Sequence, residues 1–265
     1  MDPDHTWADL WKQFGSLYCI NLIDNNERHE SSGKIFQEYS MPVEYYRPMK
    51  HPKGGAVGCY ESHIAVIRKA YESGAETALI LEDDLLPVQN RLNKAALCEI
   101  LDFMRTSTDW GIMFLGCFHI SMQFKTERTQ FPHIFKVHAV LTHAYVINRK
   151  HMERMLALNQ HYRQTFIDHV YKAELCNYAY MPTLFHQDES PSSIQMQIDT
   201  FGFKNCIIDA SNAYGTSINI PMIHLLPALI LLLFVSMKIF PQLDILHVTL
   251  LVLILAILVS IATWG

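Results

Sequence analysis

Three consecutive carboxylates, Glu82, Asp83 and Asp84, are the residues of this chain whose chemistry is easiest to infer. They directly follow the short apolar segment 78–81, and Pro87 comes soon after them. The apolar run predicts a buried strand. Because a buried, unpaired charge is costly, the three acids should lie at the carboxyl end of that strand, in water or on a cation. Ligands bind at this edge of open α/β sheets.

The spacing of the acids suggests which of them act together. Side chains alternate along an extended chain, so we expect Glu82 and Asp84 on one face and Asp83 on the other. Two hard oxygen donors on one face suit Mg²⁺ or Mn²⁺, and such an ion suits a diphosphate. A solvated acidic turn after a strand is the simpler alternative, and this segment alone does not decide between the two.

Strands and helices are predicted to alternate around this segment. We expect strands at 17–23, 43–46, 77–81, 111–115 and 140–147. We expect helices at 27–39, 60–73, 92–104, 150–158 and 166–175, and a glycine-rich loop at 51–58. This alternation is typical of an α/β fold with a mostly parallel central sheet and helices on its faces.

The apolar residues are concentrated near the end of the 265-residue chain. Residues 218–237 and 245–265 contain no Asp, Glu, Lys or Arg. Each stretch would span roughly 30 Å as a helix, enough to cross a bilayer. We therefore expect a transmembrane helical hairpin at 218–265. A buried soluble hairpin is the alternative, but parts of both stretches are apolar all round, without a polar face.

The remaining sequence predicts one large domain at 16–195, preceded by an amphipathic segment at 1–15 and followed by a linker at 196–217. The six cysteines form no Cys-x-x-Cys pair, and the sequence contains no Asn-x-Ser/Thr sequon and no signal peptide. These features favour a domain that faces the cytosol from the membrane. The formal charge of −5, without a basic stripe, argues against nucleic acid as a partner.

Four segments, in this order, resemble glycosyltransferase family 25, the lipooligosaccharide and collagen galactosyltransferases. They are 18–24 (YCINLID) with Arg28, 58–63 (GCYESH), 80–84 (ILEDD), and 143–147 (HAYVI) with Asp168 downstream. The resemblance covers about residues 16–195. It implies a GT-A-like nucleotide-sugar-binding fold, a UDP-sugar donor, a divalent metal (Mn²⁺ or Mg²⁺), and transfer of galactose or glucose with inversion. The acceptor would be a glycan, a lipid-linked molecule or a protein.

One position departs from the family's pattern. Members usually carry Gly-Glu shortly before the Gly-Cys pair, whereas Gly55-Ala56 stands here. The missing carboxylate leaves open a degenerate membrane protein that binds a nucleotide or glycan without transfer. A third hypothesis is a membrane scaffold protein in which the hairpin carries the function.

The resemblance gives roles to residues near the acidic segment. Glu82 and Asp84 would hold the metal, and Asp83 would contact ribose or sugar hydroxyls, with a solvated side chain in the turn as the alternative. Asn21 could bind uracil or ribose, with a structural cap as the alternative. Arg28 could bind phosphate or stack on the base, with an exposed helix arginine as the alternative.

Histidine, serine and a further carboxylate complete the predicted site. Ser62 and His63 follow a glycine-rich loop and are expected in the first turns of a helix, where backbone N–H groups attract phosphate. An inverting transfer also needs a general base. Asp168 is the first candidate for that base and His143 the second, while His186 could complete the metal's coordination.

Overall fold

The computed structural model of the protein describes residues 5–120, 127–137, 139–162, 167, 170–171, 175–188 and 217–218. All of them belong to one compact unit, Met1–Ile218. A second unit, Asn219–Gly265, lies outside the described residues.

The helices and strands of the described part are as follows. The helices are α1 (Trp7–Lys12), α2 (Asn26–Glu38), α3 (Gly55–Glu72), α4 (Lys94–Thr106) and α5 (Arg149–Tyr162). The strands are β1 (Ser16–Ile20), β2 (Glu44–Tyr46), β3 (Thr77–Glu82), β4 (Leu85–Pro87), β5 (Ile112–Ile120), β6 (Glu127–Arg128), β7 (Ile134–Lys136), β8 (Ala139–Asn148), β9 (Asn177–Tyr180), β10 (Phe185–Gln187) and β11 (Ser217–Ile218).

A nine-stranded sheet forms the centre of this unit. Its strand order is β2-β1-β3-β8-β5-β9-β7-β6, and β11 pairs with β5. Strands β1, β2 and β3 are parallel neighbours, whereas β8 pairs antiparallel with both β3 and β5. Within this nine-stranded sheet, β7 and β8 run against the direction that its other strands share. The prediction of an α/β fold with a mostly parallel sheet is confirmed.

Helices cover both faces of the sheet, because the strands bury apolar side chains on each side. On one face, Trp11 of α1 and Leu97 of α4 pack in the same cluster as Met113 of β5. On the other face, Ile67 of α3 lies in a cluster with Tyr145 of β8. Continuous apolar runs are typical of strands that are buried on both faces.

The side chains of β3 alternate between the two faces of the sheet, and this alternation predicts the side on which Glu82 lies. Leu79 and Leu81 belong to the cluster that includes α1 and α4. Ala78 and Ile80 belong to the cluster that includes α3. By the same alternation Glu82, the last residue of β3, should face α3. Its contact with His63 of α3 agrees with this expectation.

Helix α3 begins earlier than the sequence predicts. The expected loop at 51–58 gives way to a helix from Gly55, and Gly54 adopts φ +101° immediately before it. A Cβ atom at Gly58 would lie 2.9 Å from the Cβ atom of His51. Gly58 therefore permits a close approach inside the helix and does not belong to a loop.

The predicted membrane location is corrected by the structure. Across the described ranges, no helix has the length and apolar character needed to cross a membrane. The predicted hairpin at 218–265 lies outside the described residues except for Ile218, which belongs to β11. The prediction of a multi-pass membrane location with a cytosol-facing domain is therefore wrong, and the structure does not support the membrane as a partner.

Two other expected segments are described in part or not at all. Of the helix expected at 166–175, Ile167, Val170 and Tyr171 are helical. The linker expected at 196–217 lies outside the described residues except for Ser217. The predicted domain boundaries therefore stay predictions.

Candidate active site

The acidic segment lies where β3 ends. Glu82 is the last residue of β3, Asp83 and Asp84 form a turn, and β4 begins at Leu85. The β4 strand pairs with β10, so the chain leaves the central sheet at this turn. Glu82 and Asp84 were expected on one face because side chains alternate along a strand. The strand ends at Glu82, so this alternation does not extend to Asp84, and the three acids have different contacts.

Arg28 of α2 joins the two aspartates of the turn. Its Nη1 atom donates to Asp83 Oδ1 at 3.1 Å and to Asp84 Oδ2 at 3.2 Å. The structure thus pairs Asp83 with Asp84 through one guanidinium. Arg28 is not the exposed helix arginine of the structural alternative, since 16% of its side chain is accessible.

Asn21 holds the other oxygen of Asp83. Its Nδ2 atom donates to Asp83 Oδ2 at 2.6 Å, and its Oδ1 atom accepts from Arg47 Nε at 2.9 Å. Both ends of the amide are therefore engaged within the protein. Sequence reasoning missed Arg47, although it directly follows β2 at the same edge of the sheet. Contact between Asn21 and uracil or ribose stays a prediction.

Asp84 is the most deeply buried acid of the turn, with 6% of the residue exposed. Its Oδ2 atom accepts from Gln187 Nε2 at 3.0 Å as well as from Arg28. Its Oδ1 atom is buried and has no hydrogen-bond partner within the described ranges. Burial, together with the nearby charge of Glu82, raises the pKa of Asp84 to about 7. An uncompensated hard oxygen donor of this kind fits a divalent cation.

Asp83 shows the same tendency. Burial raises the pKa of Asp83 above its ordinary value, against the opposing effects of Asn21 and Arg28. Asp83 and Asp84 share the single guanidinium of Arg28, so a cation could be held beside these two carboxylates.

Glu82 faces α3 and β8. Its Oε1 atom accepts from Thr142 Oγ1 at 3.0 Å and lies 3.4 Å from His63 Nε2. Burial acts to raise the pKa of Glu82, but contacts with His63, the nearby His143 and Thr142 outweigh it and leave the pKa below its ordinary value. Glu82 is thus an ionised carboxylate with partners different from those of Asp84.

Ser62 and His63 do not lie where the sequence placed them. Because α3 begins at Gly55, neither is in its first turn. Ser62 Oγ donates to the backbone oxygen of Gly58 at 2.6 Å, and His63 is 1% exposed with Nδ1 2.8 Å from Tyr145 Oη. The expected position at a helix N-terminus is wrong, and a role in cofactor binding stays a prediction.

The two candidates for the general base, His143 and Asp168, and the possible metal ligand His186 lie in different parts of the chain. His143 is buried on β8, with Nε2 3.3 Å from the backbone oxygen of Phe185. Asp168 lies outside the described residues. His186 lies on β10 beside Gln187, and burial and Arg91 lower the pKa of His186. A place for His186 in the metal's coordination stays a prediction.

Part of the sequence matches the model of a known protein family. The model of glycosyltransferase family 25 (LPS biosynthesis protein) matches residues 20–171. No curated protein matches the sequence. Among solved structures, the chain is similar to a glycosyltransferase involved in the glycosylation of the major capsid of PBCV-1. The identity is 12%, 67% of this chain and 94% of that chain are covered, and the TM-score is 0.44.

Another similar structure is a mutant Drosophila β1,4-galactosyltransferase 7 in complex with manganese, UDP-Gal and xylobiose. Its identity is 9%, 53% of this chain and 51% of that chain are covered, and the TM-score is 0.32. These structural similarities are distant, so the assignment rests on the family model, which spans more than half of the 265 residues. The chain belongs to glycosyltransferase family 25 and is a glycosyltransferase.

Proposed function

We propose that this enzyme transfers a hexose, galactose or glucose, from a UDP-sugar to a glycan, lipid-linked or protein acceptor, with inversion. We propose further that a divalent metal, Mn²⁺ or Mg²⁺, supports the transfer. The observation that carries the proposal is the buried acidic turn at the carboxyl end of β3. Its Asp84 Oδ1 atom has no hydrogen-bond partner within the described part of the chain.

Asp84 is the residue that would hold the metal. Arg28 and Gln187 fix its Oδ2 atom, which leaves Oδ1 for the ion. When bound there, the metal would act as a Lewis acid that neutralises the leaving diphosphate. Ions of this kind keep several waters and accept phosphate oxygens, so few protein ligands are needed.

Glu82 was the second predicted ligand of this metal. Its described contacts are with Thr142 and His63, whereas Asp84 contacts Arg28 and Gln187. We therefore assign the donor's metal to Asp84 and not to Glu82.

Asp83, Asn21 and Arg28 would organise the donor. Each oxygen of a carboxylate has two lone pairs, so Asp83 can accept from a ribose or sugar hydroxyl while Asn21 and Arg28 hold it. The guanidinium of Arg28 carries the positive charge beside the position that the diphosphate would occupy. The two aspartates carry two negative charges and Arg28 carries one positive charge, so a bound metal would neutralise the remaining negative charge.

The general base is proposed to be Asp168. The alternative, His143, is 3% exposed and directs Nε2 at a backbone carbonyl, which leaves this imidazole poorly placed to reach an acceptor hydroxyl. A general base must lie within hydrogen-bond reach of the proton that it removes. Asp168→Asn should therefore reduce transfer to an acceptor while UDP binding persists.

The decisive experiment measures UDP release from UDP-galactose and UDP-glucose in the presence of Mn²⁺. A metal contributes several kcal/mol to the transition state, so Asp84→Asn should lower turnover by about 100-fold or more. Asp102→Asn is the matched control, because Asp102 is a half-exposed aspartate on α4. Full turnover by the Asp84→Asn variant would refute the metal assignment.

The second candidate function, a protein that binds without transferring, rests on Ala56. Ala56 lies in the first turn of α3, in the place where the family usually has a glutamate. Calorimetry separates the two functions. UDP binding without turnover on any acceptor would favour the binding protein, whereas turnover would exclude it.

A further inference from the structure

A thiol, an imidazole and a carboxylate meet beside the acidic turn. They belong to Cys59 and His63 of α3 and to Glu82 at the end of β3. One donor atom of each residue lies within 4.8 Å of the other two. Residues four apart share one face of a helix, so Cys59 and His63 both face Glu82.

We propose that Cys59, His63 and Glu82 bind a divalent transition-metal ion of the zinc class, at a site separate from the donor's metal at Asp84. Thiolate, imidazole and carboxylate are the ligands of Zn²⁺, whereas Mg²⁺ and Mn²⁺ favour oxygen donors. Three protein ligands leave the fourth tetrahedral position open to water. The proposal does not depend on the enzyme's donor or acceptor.

The distance between two of the donors supports a shared ion. His63 Nε2 and Glu82 Oε1 are 3.4 Å apart, longer than an ordinary N–H···O hydrogen bond. Zinc bonds of about 2.0–2.2 Å at a tetrahedral angle place their nitrogen and oxygen atoms roughly 3.4 Å apart. The pair therefore has the separation of two ligands on one metal.

The orientation of the His63 ring supports the same site. The residue is 1% exposed, and Nε2 has no hydrogen-bond partner among the residues that the structure describes. Nδ1 lies 2.8 Å from Tyr145 Oη, which lies 2.6 Å from Tyr171 Oη. If Tyr145 donates to Tyr171, it accepts the Nδ1 proton and leaves the Nε2 lone pair facing Glu82. Metal-binding histidines are commonly oriented through the other ring nitrogen in this way.

Binding would change the protonation of one ligand. The Cys59 thiol must lose its proton to solvent, because the thiolate is the metal ligand. Glu82 binds as the carboxylate and His63 as the neutral ring, as these residue types do in zinc sites. Cys59 is partly exposed, so an ion can enter the site from solvent beside Cys59, and the thiol proton can leave by the same path.

The test uses the full chain, freed of metal by a chelator and titrated with Co²⁺ as a spectroscopic probe for Zn²⁺. We expect a thiolate-to-cobalt charge-transfer band that saturates at one Co²⁺ per chain, and loss of that band when Zn²⁺ displaces the probe. Cys59→Ser should remove the band. Cys98→Ser, at a partly exposed cysteine on α4, should leave it unchanged. Asp84→Asn should also keep the band if the two metal sites are separate.

Two results would overturn the proposal: absence of the band in the wild-type chain, or its persistence in Cys59→Ser. Absence of the band would mean that no thiolate binds the ion, and persistence would mean that another cysteine supplies it. If Cys59→Ser does not fold, alkylation of the wild-type chain gives the answer. Zn²⁺ at ten times its dissociation constant should slow alkylation of Cys59 about tenfold and leave Cys98 unaffected. Equal rates with and without Zn²⁺ would also overturn the site.

Discussion

Arg28 balances much of the negative charge in the acidic turn. Its Nη1 atom lies 3.1 Å from Asp83 and 3.2 Å from Asp84, whose side chains are 11% and 5% exposed. Removing one partner of a buried ion pair costs more than the pair itself contributes, because the remaining charge stays buried without compensation. Two carboxylates would be left in that state here.

Replacement of Arg28 should therefore destabilise the protein strongly. We expect Arg28→Ala to lower the free energy of unfolding by about 3 kcal/mol, measured by urea unfolding at neutral pH. The control is Arg105→Ala, because Arg105 pairs with Asp102 at the surface, with both side chains about half exposed. Exposed pairs contribute under about 1 kcal/mol. Equal losses in the two variants would contradict the role of Arg28.

The raised pKa of Asp84 makes stability depend on pH in metal-free buffer. The pKa of Asp84 is about 7 in the folded chain, against an ordinary value of 3.8. Between these values the folded state holds a proton that the unfolded state has lost. The free energy of unfolding should therefore fall as pH rises from about 4 to 7, by up to about 1.4 kcal/mol per pH unit from this residue.

The Asp84→Asn variant isolates this contribution. The other titrating groups are common to both proteins, so the pH dependence of the difference in unfolding free energy reports Asp84 together with its effect on Glu82 and Asp83. Thermal or urea unfolding at several pH values gives this difference. A difference that stays constant from pH 4 to 7 would show that Asp84 titrates near its ordinary value.

At the residue scale, the sequence predicted the acids and some of their partners. Charges directly after an apolar run must leave the core, so the position of Asp83 and Asp84 could be inferred. Arg28 and Asn21 were expected near a donor because of the family resemblance. Gln187 was not expected beside Asp84, since the contact spans 103 positions and depends on the pairing of β10 with β4. No local pattern encodes such a contact.

At the scale of elements, strand β5 lies close to β8 and β10 at Gly116, and this close approach requires a glycine. The β5–β8 pairing is irregular on both sides of Gly116. A Cβ atom at Gly116 would lie 2.3 Å from His143 Nε2 and 2.9 Å from the backbone oxygen of Phe185. Gly116 therefore allows β8 and β10 to pack beside β5, and β10 in turn positions Gln187 against Asp84.

Adding one methyl group at Gly116 should disturb this packing. We expect Gly116→Ala to lower the free energy of unfolding by about 1–3 kcal/mol, because the His143 ring and the β10 backbone must shift. The control is Gly33→Ala on α2, where the nearest atom to a new Cβ is Tyr45 Oη at 3.5 Å. Alanine favours helix by about 1 kcal/mol over glycine, so this variant should gain stability. Chemical denaturation that ranks the variants in the opposite order would contradict the packing argument.

The predicted elements were most accurate where burial and periodicity agree. The strand expected at 77–81 and the helix expected at 27–39 lie within one residue of β3 and α2. The start of α3 was missed because glycines at 54, 55 and 58 favour a loop in local terms. Gly58 is instead required by the approach of His51. Strand β4 was missed because its three residues directly follow the acidic turn and pair only with the distant strand β10.

At the scale of the whole molecule, the site depends on the convergence of parallel strands. Asn21 follows β1, Arg47 follows β2, and Asp83 follows β3. These strands are parallel neighbours, so their carboxyl ends meet at one edge of the sheet. The contacts of 2.6 Å and 2.9 Å that link the three residues are a consequence of this topology.

Since the described contacts of the acidic turn all lie between residues 21 and 188, the compact unit Met1–Ile218 should hold the donor without the residues that follow it. We expect a chain truncated after Ile218 to bind UDP with Mn²⁺ within about twofold of the full chain's affinity, measured by calorimetry. At 100 times the dissociation constant, the ligand should stabilise both chains against unfolding by about 2.7 kcal/mol. Asp84→Asn in the truncated chain should remove both effects. Truncation that abolishes binding while the unit still unfolds cooperatively would show that later residues complete the site.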